Sequence, residues 1–268
     1  MLDALHFAFI QHALIAAVLV SLIAGIVGSL VVVNRMVFLS GGIAHASYGG
    51  IGIAVYFSLP IFLGASLFAV ASALLIAYLT MYKRERIDTL IGVLWAVGMA
   101  VGIVFTDLTP GYHSDLMSYL FGSILAVERS DLYFAGALLA FILCVVLFRY
   151  REILSVSYDS EYAELQGINV SFYYTLILVI SALSVVVAIK IVGLILVIAL
   201  LTVPVYIAEA FVNSLHRMML VSSLLSMLFT LAGLTLSYAY DITSGAAIVL
   251  VSAAGMLLAS VYKRMCRR

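Results

Sequence analysis

His45 is the side chain in this sequence best suited to binding a metal ion inside a membrane. It follows Arg35 by ten residues within an apolar stretch, and a helical rise of about 1.5 Å per residue would place it roughly 15 Å deep. Ionisable side chains at that depth usually face a cavity or a partner, and neutral imidazole is a common ligand of first-row metals. The alternative is a structural histidine that is hydrogen-bonded to a neighbouring helix. The residues themselves leave both interpretations open.

Other titratable side chains fall near the ends of apolar runs. His113 and Asp115 follow a Pro-Gly pair, which predicts an outer loop where they receive metal, contact a partner or are simply solvated. Lys190 is expected to extend its ammonium group to the outer interface. Glu209 is expected to meet cytoplasmic water or to pair with Arg217. His6, His12 and His216 have interfacial or loop positions and no patterned partner, so no role is assigned to them.

The elements that position these residues are long apolar runs. The chain has 268 residues, of which 66% are hydrophobic and 10% charged, whereas a soluble domain is roughly 45–50% apolar and about 25% charged. The runs have the length of membrane helices, about 20 residues, and lack the alternation of barrel strands. Nine candidate spans result: 9–33, 41–59, 61–82, 87–106, 131–148, 171–189, 191–209, 217–238 and 243–262. We therefore predict an all-α polytopic transmembrane helix bundle of about eight or nine spans. The close pairs joined at Pro60 and at Lys190 leave open whether each is two spans or one irregular hairpin.

The basic residues predict the orientation of the bundle. When the nine spans alternate, 11 of the 13 Lys and Arg residues fall on the side of the C-terminus, and only Arg129 and Lys190 fall on the other side. Such a bias marks the cytoplasmic side. The longest polar segment on that side is 149–170. The formal net charge is +0, so nothing indicates binding to nucleic acid. The chain also contains no GxxxxGK[ST] phosphate loop, so ATP hydrolysis of the P-loop kind would need a partner.

Six stretches, spread over most of the chain, carry a resemblance to a known family. They are SGGIAHASYGGIGIA (Ser40–Ala54), RIDTLIGVLWAVGMAVG (Arg86–Gly102), DLMSYLFGSILAV (Asp115–Val127), D-x-E-x-A-x-x-x-G (Asp159–Gly167), KIVGLILVIALLTVPVYIAEAF (Lys190–Phe211) and YDITSGAAIVLVSA (Tyr240–Ala253). In this order they resemble the ABC-3 family, the permeases of bacterial zinc, manganese and iron importers. The resemblance implies one permease domain over residues 1–268 with the type II importer fold.

The resemblance also implies partners and a location. It implies a homodimer of permeases, a separate cytoplasmic ABC ATPase and an extracytoplasmic metal-binding protein that delivers the cargo. The segment 149–170 would be the loop that docks on the ATPase, through Asp159, Glu161, Tyr162, Ala163, Leu165 and Gly167. No permanently bound cofactor is implied, only the transported divalent ion. The location would be a bacterial or archaeal cell (inner) membrane, with multiple passes and a cytoplasmic C-terminus.

The metal site implied by the resemblance has one departure from the family pattern. The family places an aspartate one helical turn before the histidine, and this chain has Gly41 there. Asp241 matches the second acidic position of the family and is a candidate ligand with His45, although it could instead cap the N-terminus of the last helix. His113 and Asp115 are further candidates. The glycines around His45 could also serve only close helix packing.

The leading functional hypothesis is the permease subunit of an ATP-driven importer of zinc, manganese or iron. Histidine slightly favours zinc over manganese. The first alternative is a proton-coupled secondary carrier with His45 as the relay, which would not need the docking segment. The second is a cobalamin- or siderophore-type ABC permease, which would carry a large ligand. The chain itself is predicted not to be an enzyme.

Overall fold

The protein is helical throughout the part that the structure describes. The computed structural model describes residues 8–83, 87–110, 124 and 127–266, and within them it contains α-helices and no β-strand. The helices are α1 (Ala8–Val33), α2 (Val37–Tyr56), α3 (Ile61–Lys83), α4 (Ile87–Asp107), α5 (Arg129–Phe148), α6 (Tyr150–Tyr158), α7 (Ser160–Leu165), α8 (Val170–Val192), α9 (Leu194–Glu209), α10 (Leu215–Tyr240) and α11 (Ser244–Cys266).

Eight of the described helices are long and apolar enough to cross a membrane: α1 to α5, α8, α10 and α11. This confirms a polytopic helix bundle of about eight or nine spans, and the chain is a multi-pass membrane protein. The ninth predicted span corresponds to α9, which has 16 residues. Its length of about 24 Å is less than the roughly 30 Å of a hydrocarbon core.

The break that we predicted at Lys190 lies three residues later. Helix α8 continues through Lys190 to Val192, and α9 begins at Leu194. The single linking residue, Gly193, has φ 85° and ψ 162°, a backbone conformation that is essentially restricted to glycine. The prediction was wrong because a charged residue does not interrupt helical hydrogen bonds, whereas this glycine conformation does.

The helices are distributed over two compact units. The first contains the described parts of Met1–Val32, Met117–Cys144 and Val187–Arg268, and the second contains those of Val33–Leu116 and Val145–Val186. We describe each unit separately.

In the second unit, α2 packs between α3 and α4, and glycine makes both contacts possible. A Cβ atom at Gly52 would collide with the backbone of Gly102 in α4, and one at Gly50 would collide with the backbone of Gly64 in α3. Gly42 lies against Ile91 of α4, at the other end of the same contact. Because contacts advance together along both chains, α2 and α4 are parallel. The packing role of these glycines is therefore confirmed.

In the first unit, small polar residues join α1 to α10. The hydroxyls of Ser21 and Thr230 lie 3.3 Å apart, as do those of Ser29 and Ser222. Between these two contacts, Gly25 brings α1 directly against the backbone of Ser223. The pairing order shows that the two helices are antiparallel. Small residues of this kind let transmembrane helices approach closely and exchange hydrogen bonds.

We expected the ammonium group of Lys190 to extend to the outer interface, but it is held by a partner within the protein. Its ammonium group forms an ion pair with the carboxylate of Asp131 in the first turn of α5. Asp131 is buried, with 6% of its surface exposed, and its Oδ2 also accepts a hydrogen bond from the backbone N–H of Glu128 at 3.2 Å. A buried carboxylate is costly unless it is paired. The pair therefore fixes Lys190, and its existence could not be predicted from α8 alone.

Candidate metal site

The imidazole of His45 is held by a hydrogen bond within its own helix. His45 lies near the middle of α2 and is half-buried, and its Nδ1 is 2.8 Å from the carbonyl oxygen of Gly41. A carbonyl can only accept, so Nδ1 carries the proton, and in the neutral ring Nε2 carries the lone pair. Ligating histidines usually have this arrangement, with the other ring nitrogen donating to a carbonyl or carboxylate. Within the described part of the chain, Nε2 has no hydrogen-bond partner.

A side chain of α4 packs against the face of the same imidazole ring. The indole of Trp95 in α4 stacks on the imidazole of His45, with the centroids 3.9 Å apart and the planes inclined by 21°. The Nε1 of Trp95 donates in turn to the sulfur of Met99, 3.1 Å away. The contact between the two helices at His45 is therefore a stack. A purely structural histidine was expected to form a hydrogen bond to a neighbouring helix, and His45 forms its hydrogen bond within α2 instead.

Asp241 ends a helix, so it does not begin one. It follows the last residue of α10 in the left-handed conformation, with φ 54° and ψ 42°, which aspartate tolerates better than most residues. The backbone N–H groups of Asp241 and Ile242 both donate to the carbonyl of Ser237, which closes the helix as a glycine would. Helix α11 begins only at Ser244, so the N-cap alternative is wrong. The side chain of Asp241 is exposed.

The candidate ligands do not form a complete metal site in the described part of the chain. There, no three His, Cys, Asp or Glu side chains come close enough to hold one ion. His45 belongs to the second unit and Asp241 to the first. His113 and Asp115 lie outside the described residues. Gly41, where the family resemblance implied aspartate, is buried and supplies only its carbonyl oxygen to His45.

The segment that was predicted to dock on an ATPase forms a short helix. Asp159 caps α7, with its Oδ1 accepting from the backbone N–H of Tyr162 at 2.9 Å. Gly167 ends the segment with φ 77°, while Ala163 is fully buried and anchors the helix. Tyr162 is 53% exposed and Leu165 is 87% exposed. The helix thus presents two large apolar side chains to its surroundings, and Glu161 is exposed beside them.

An ion pair fixes the entry to this segment. The guanidinium of Arg149 lies 3.2 Å from the carboxylate of Glu152, at the start of α6. The pKa of Glu152 is held below its ordinary value, first by a hydrogen bond from its own backbone N–H and then by Arg149. Ile153 and Val156 are the buried residues of α6. One face of this helix therefore packs inward while its charged residues face solvent.

The contribution of Trp95 could not be recognised from sequence alone. Trp95 is the only tryptophan of the chain, and it lies 50 residues after His45, on a helix that is not the next one along the chain. The only available signal was the series Gly42, Gly49 and Gly52 on α2 together with Gly98 and Gly102 on α4, because helices rich in glycine tend to pack on each other. That signal does not specify which side chains meet.

Comparisons with known proteins extend over nearly the whole chain. The model of the ABC 3 transport family matches residues 6–263. An uncharacterised membrane protein of Synechocystis sp. is 44% identical over 98% of this chain and 94% of its own length. The manganese transport system membrane protein MntC of Halalkalibacterium halodurans is 34% identical over 96% of this chain and 88% of its own. The solved structure of PsaBC from Streptococcus pneumoniae in complex with a Fab has a TM-score of 0.85 at 32% identity, over 96% of this chain and 93% of that one.

The family match, the relatives and the structural neighbour each extend over more than nine-tenths of the chain, whose described residues contain eight helices long and apolar enough to cross a membrane. The chain therefore belongs to the ABC 3 transport family.

Proposed function

We propose that this chain is the membrane-spanning permease subunit of an ATP-driven importer of divalent transition metal ions. The observation that carries the proposal is the imidazole of His45, which is oriented from two sides and offers an unbonded Nε2 near the middle of a membrane helix. Burying a histidine inside a membrane costs free energy, so such residues usually mark functional sites. Its arrangement matches that of ligating histidines.

We place manganese ahead of zinc and iron as the transported ion. The imidazole alone would slightly favour zinc, but relatives with 32–34% identity are named as manganese transport proteins. Manganese prefers oxygen ligands, so this choice requires carboxylates or carbonyls beside His45. Asp241 and Asp115 are candidate oxygen donors, and His113 is a candidate second nitrogen donor. The carbonyl of Gly41 already accepts from Nδ1 and lies on the side of the ring opposite to Nε2.

A second copy of the chain completes the site in this proposal. One imidazole does not hold a divalent ion, and the described residues contain no group of three ligands. In a homodimer, a second His45 and the oxygen donors of both copies line one path between the permeases. The ion then binds between subunits and is released when they move.

The energy comes from a separate ABC ATPase that binds helix α7. Tyr162 and Leu165 are the two large apolar side chains that this helix exposes, and such side chains dominate the affinity of protein interfaces. The N-cap of Asp159 and the turn at Gly167 keep the helix short and rigid. An extracytoplasmic metal-binding protein delivers the ion on the opposite side.

The C-terminus lies in the cytoplasm. The last turn of α11 carries Lys263 and Arg264, and basic residues accumulate on the cytoplasmic side of a membrane. The parallel packing of α2 and α4 agrees with strict alternation of α2, α3 and α4 across the membrane. With this orientation, α7 faces the ATPase, and the ion pair between Lys190 and Asp131 lies on the outer side.

The role of His45 is tested by uptake of radioactive manganese and zinc in cells that lack their own importers. Cells receive the permease with its ATPase and binding protein, and membrane levels of each variant are matched. His45→Asn keeps approximate size and hydrogen bonding but removes Nε2, so we expect uptake to be lost. His12→Asn is the matched control, because His12 is also a half-buried histidine on a membrane helix. Normal uptake by His45→Asn would remove His45 from the mechanism.

Gly41→Asp probes the departure from the family pattern in the same cells. The substitution adds a carboxylate one helical turn from His45. We expect tighter manganese binding and slower release, because a transport site must also let its ion leave. An unchanged manganese affinity would place the oxygen donors elsewhere.

A further inference from the structure

A cavity lies between the C-terminal ends of α9 and α11, in the first unit. It has a volume of about 300 Å³, and its walls include Tyr206, Ile207 and Glu209 from α9 and Met256 and Lys263 from α11. Ile207 and Met256 supply apolar surface to the lining, and Tyr206 is 56% exposed. Because α9 is apolar and α11 is long enough to cross a membrane, an amphipathic molecule of the bilayer is a suitable occupant.

The cavity contains one acidic and one basic side chain, Glu209 and Lys263, which form no ion pair with each other. The described part of the chain has no ion pair for Glu209 or Lys263, and the pairing of Glu209 with Arg217 that the sequence allowed is not formed. Glu209 is the last residue of α9, where the helix dipole is negative. Lys263 and Arg264 lie in the last turn of α11. Apart from Tyr206, the cavity lining has one hydroxyl side chain, Ser260, and its hydroxyl already donates to the carbonyl of Met256 at 2.8 Å.

We propose that this cavity binds the headgroup of phosphatidylethanolamine. Lys263 contacts the phosphate and Glu209 accepts hydrogen bonds from the primary ammonium, so that each unpaired charge meets its opposite within one ligand. Ile207 and Met256 contact the apolar part of the lipid next to the headgroup. Tyr206 has the amphipathic ring that is common at the membrane interface. The site contains neither His45 nor Asp241, so it is independent of the metal path.

The pattern of charges selects among membrane lipids. Phosphatidylcholine has a quaternary ammonium with no N–H to donate to Glu209, and phosphatidylglycerol has no cation at all. Both retain the phosphate that Lys263 contacts. A preference for the ethanolamine headgroup therefore depends on Glu209, whereas overall retention of phospholipid depends on Lys263.

The test uses the intact permease with its ATPase, exchanged into an equal mixture of phosphatidylethanolamine, phosphatidylglycerol and phosphatidylcholine. Native mass spectrometry then measures the lipids that remain bound. We expect the wild type to retain phosphatidylethanolamine roughly fivefold over the other two, as a half-exposed charge pair allows. Glu209→Gln should remove this preference while phosphatidylglycerol stays bound, and Lys263→Gln should reduce the retention of both.

Two control variants make the result specific. Arg217→Gln removes an exposed cation that does not line the cavity and should leave retention unchanged. His45→Asn should also leave it unchanged, so the lipid site and the metal path can fail separately. Equal retention of the three lipids by the wild type, or an unaltered preference in Glu209→Gln, would overturn the proposal. Retention of phosphatidylethanolamine only after the ATPase is removed would also overturn it, because the cavity would then belong to the subunit interface.

Discussion

Replacement of Trp95 should weaken metal binding without touching a ligand. The hydrogen bond from Nδ1 to Gly41 fixes one point of the His45 ring, and the stacked indole, 3.9 Å away, fixes its plane. The electron-rich indole face also stabilises the positive charge that a bound ion places on the imidazole. Stacked aromatic pairs contribute about 0.5–1.5 kcal/mol beyond the area that they bury. Loss of the stack in Trp95→Leu should therefore raise the dissociation constant of the permease for manganese by about 2- to 12-fold.

The assay separates orientation of the ligand from general damage to the fold. Binding of radioactive manganese to the purified permease is measured over a range of concentrations for the wild type, Trp95→Leu and Trp95→Phe. A positioning role predicts a higher dissociation constant with an unchanged number of bound ions, and partial recovery in Trp95→Phe, which keeps an aromatic face. Because Trp95 is the only tryptophan, its fluorescence should also change saturably when zinc binds to the wild type, but not in His45→Asn.

Three results would refute this reasoning. The first is an unchanged dissociation constant in Trp95→Leu, which would mean that the stack does not orient the ligand. The second is an equal loss in the Leu and Phe variants, because volume would then matter and the aromatic face would not. The third is a zinc-dependent fluorescence change that persists in His45→Asn, since the ion would then bind elsewhere.

Two further predictions concern coupling and packing. Tyr162→Ala and Leu165→Ala should each weaken binding of the ATPase subunit by about 2 kcal/mol, or roughly 30-fold, whereas Glu164→Ala on the same helix should change it little. Isothermal titration calorimetry measures the affinity of each variant for the ATPase. Similar losses for all three variants would mean that Tyr162 and Leu165 are not the anchors of the interface. Gly52→Ala should lower the free energy of unfolding by about 1–3 kcal/mol because its methyl group meets the backbone of α4. Gly92→Ala has open space around it and should instead be neutral or stabilising. Thermal melts in detergent compare the two, and equal melting temperatures would contradict the packing that we describe.

Much of the fold could be predicted from the sequence, because membrane helices are determined by local composition. A run of about 20 apolar residues must be helical in lipid, since its backbone groups have no other partners. The same rule did not locate the break between α8 and α9. That break depends on the backbone conformation of Gly193, and a lysine nearby looked like the stronger interruption.

The candidate site could be predicted only in part. His45 was identified from its type and depth, which are properties of one residue. Its contact with Trp95 depends on α2 and α4 packing in parallel, and the ion pair of Lys190 depends on α5 approaching α8. Such pairings are properties of two distant segments and leave no local trace in either. Thr243 and Ser244 after Asp241 allow a cap on the last helix as the alternative to a metal ligand, whereas the backbone conformation of Asp241 ends the helix before it.

Uptake of manganese into proteoliposomes tests the central claim most directly. The permease is reconstituted with its ATPase and metal-binding protein, and ATP or a proton gradient is supplied separately. An ATP-driven importer predicts that manganese accumulates only when ATP is present on the side of the ATPase, that a protonophore has no effect, and that His45→Asn abolishes accumulation. Accumulation that is driven by the proton gradient in the absence of ATP would contradict the account and identify a secondary carrier.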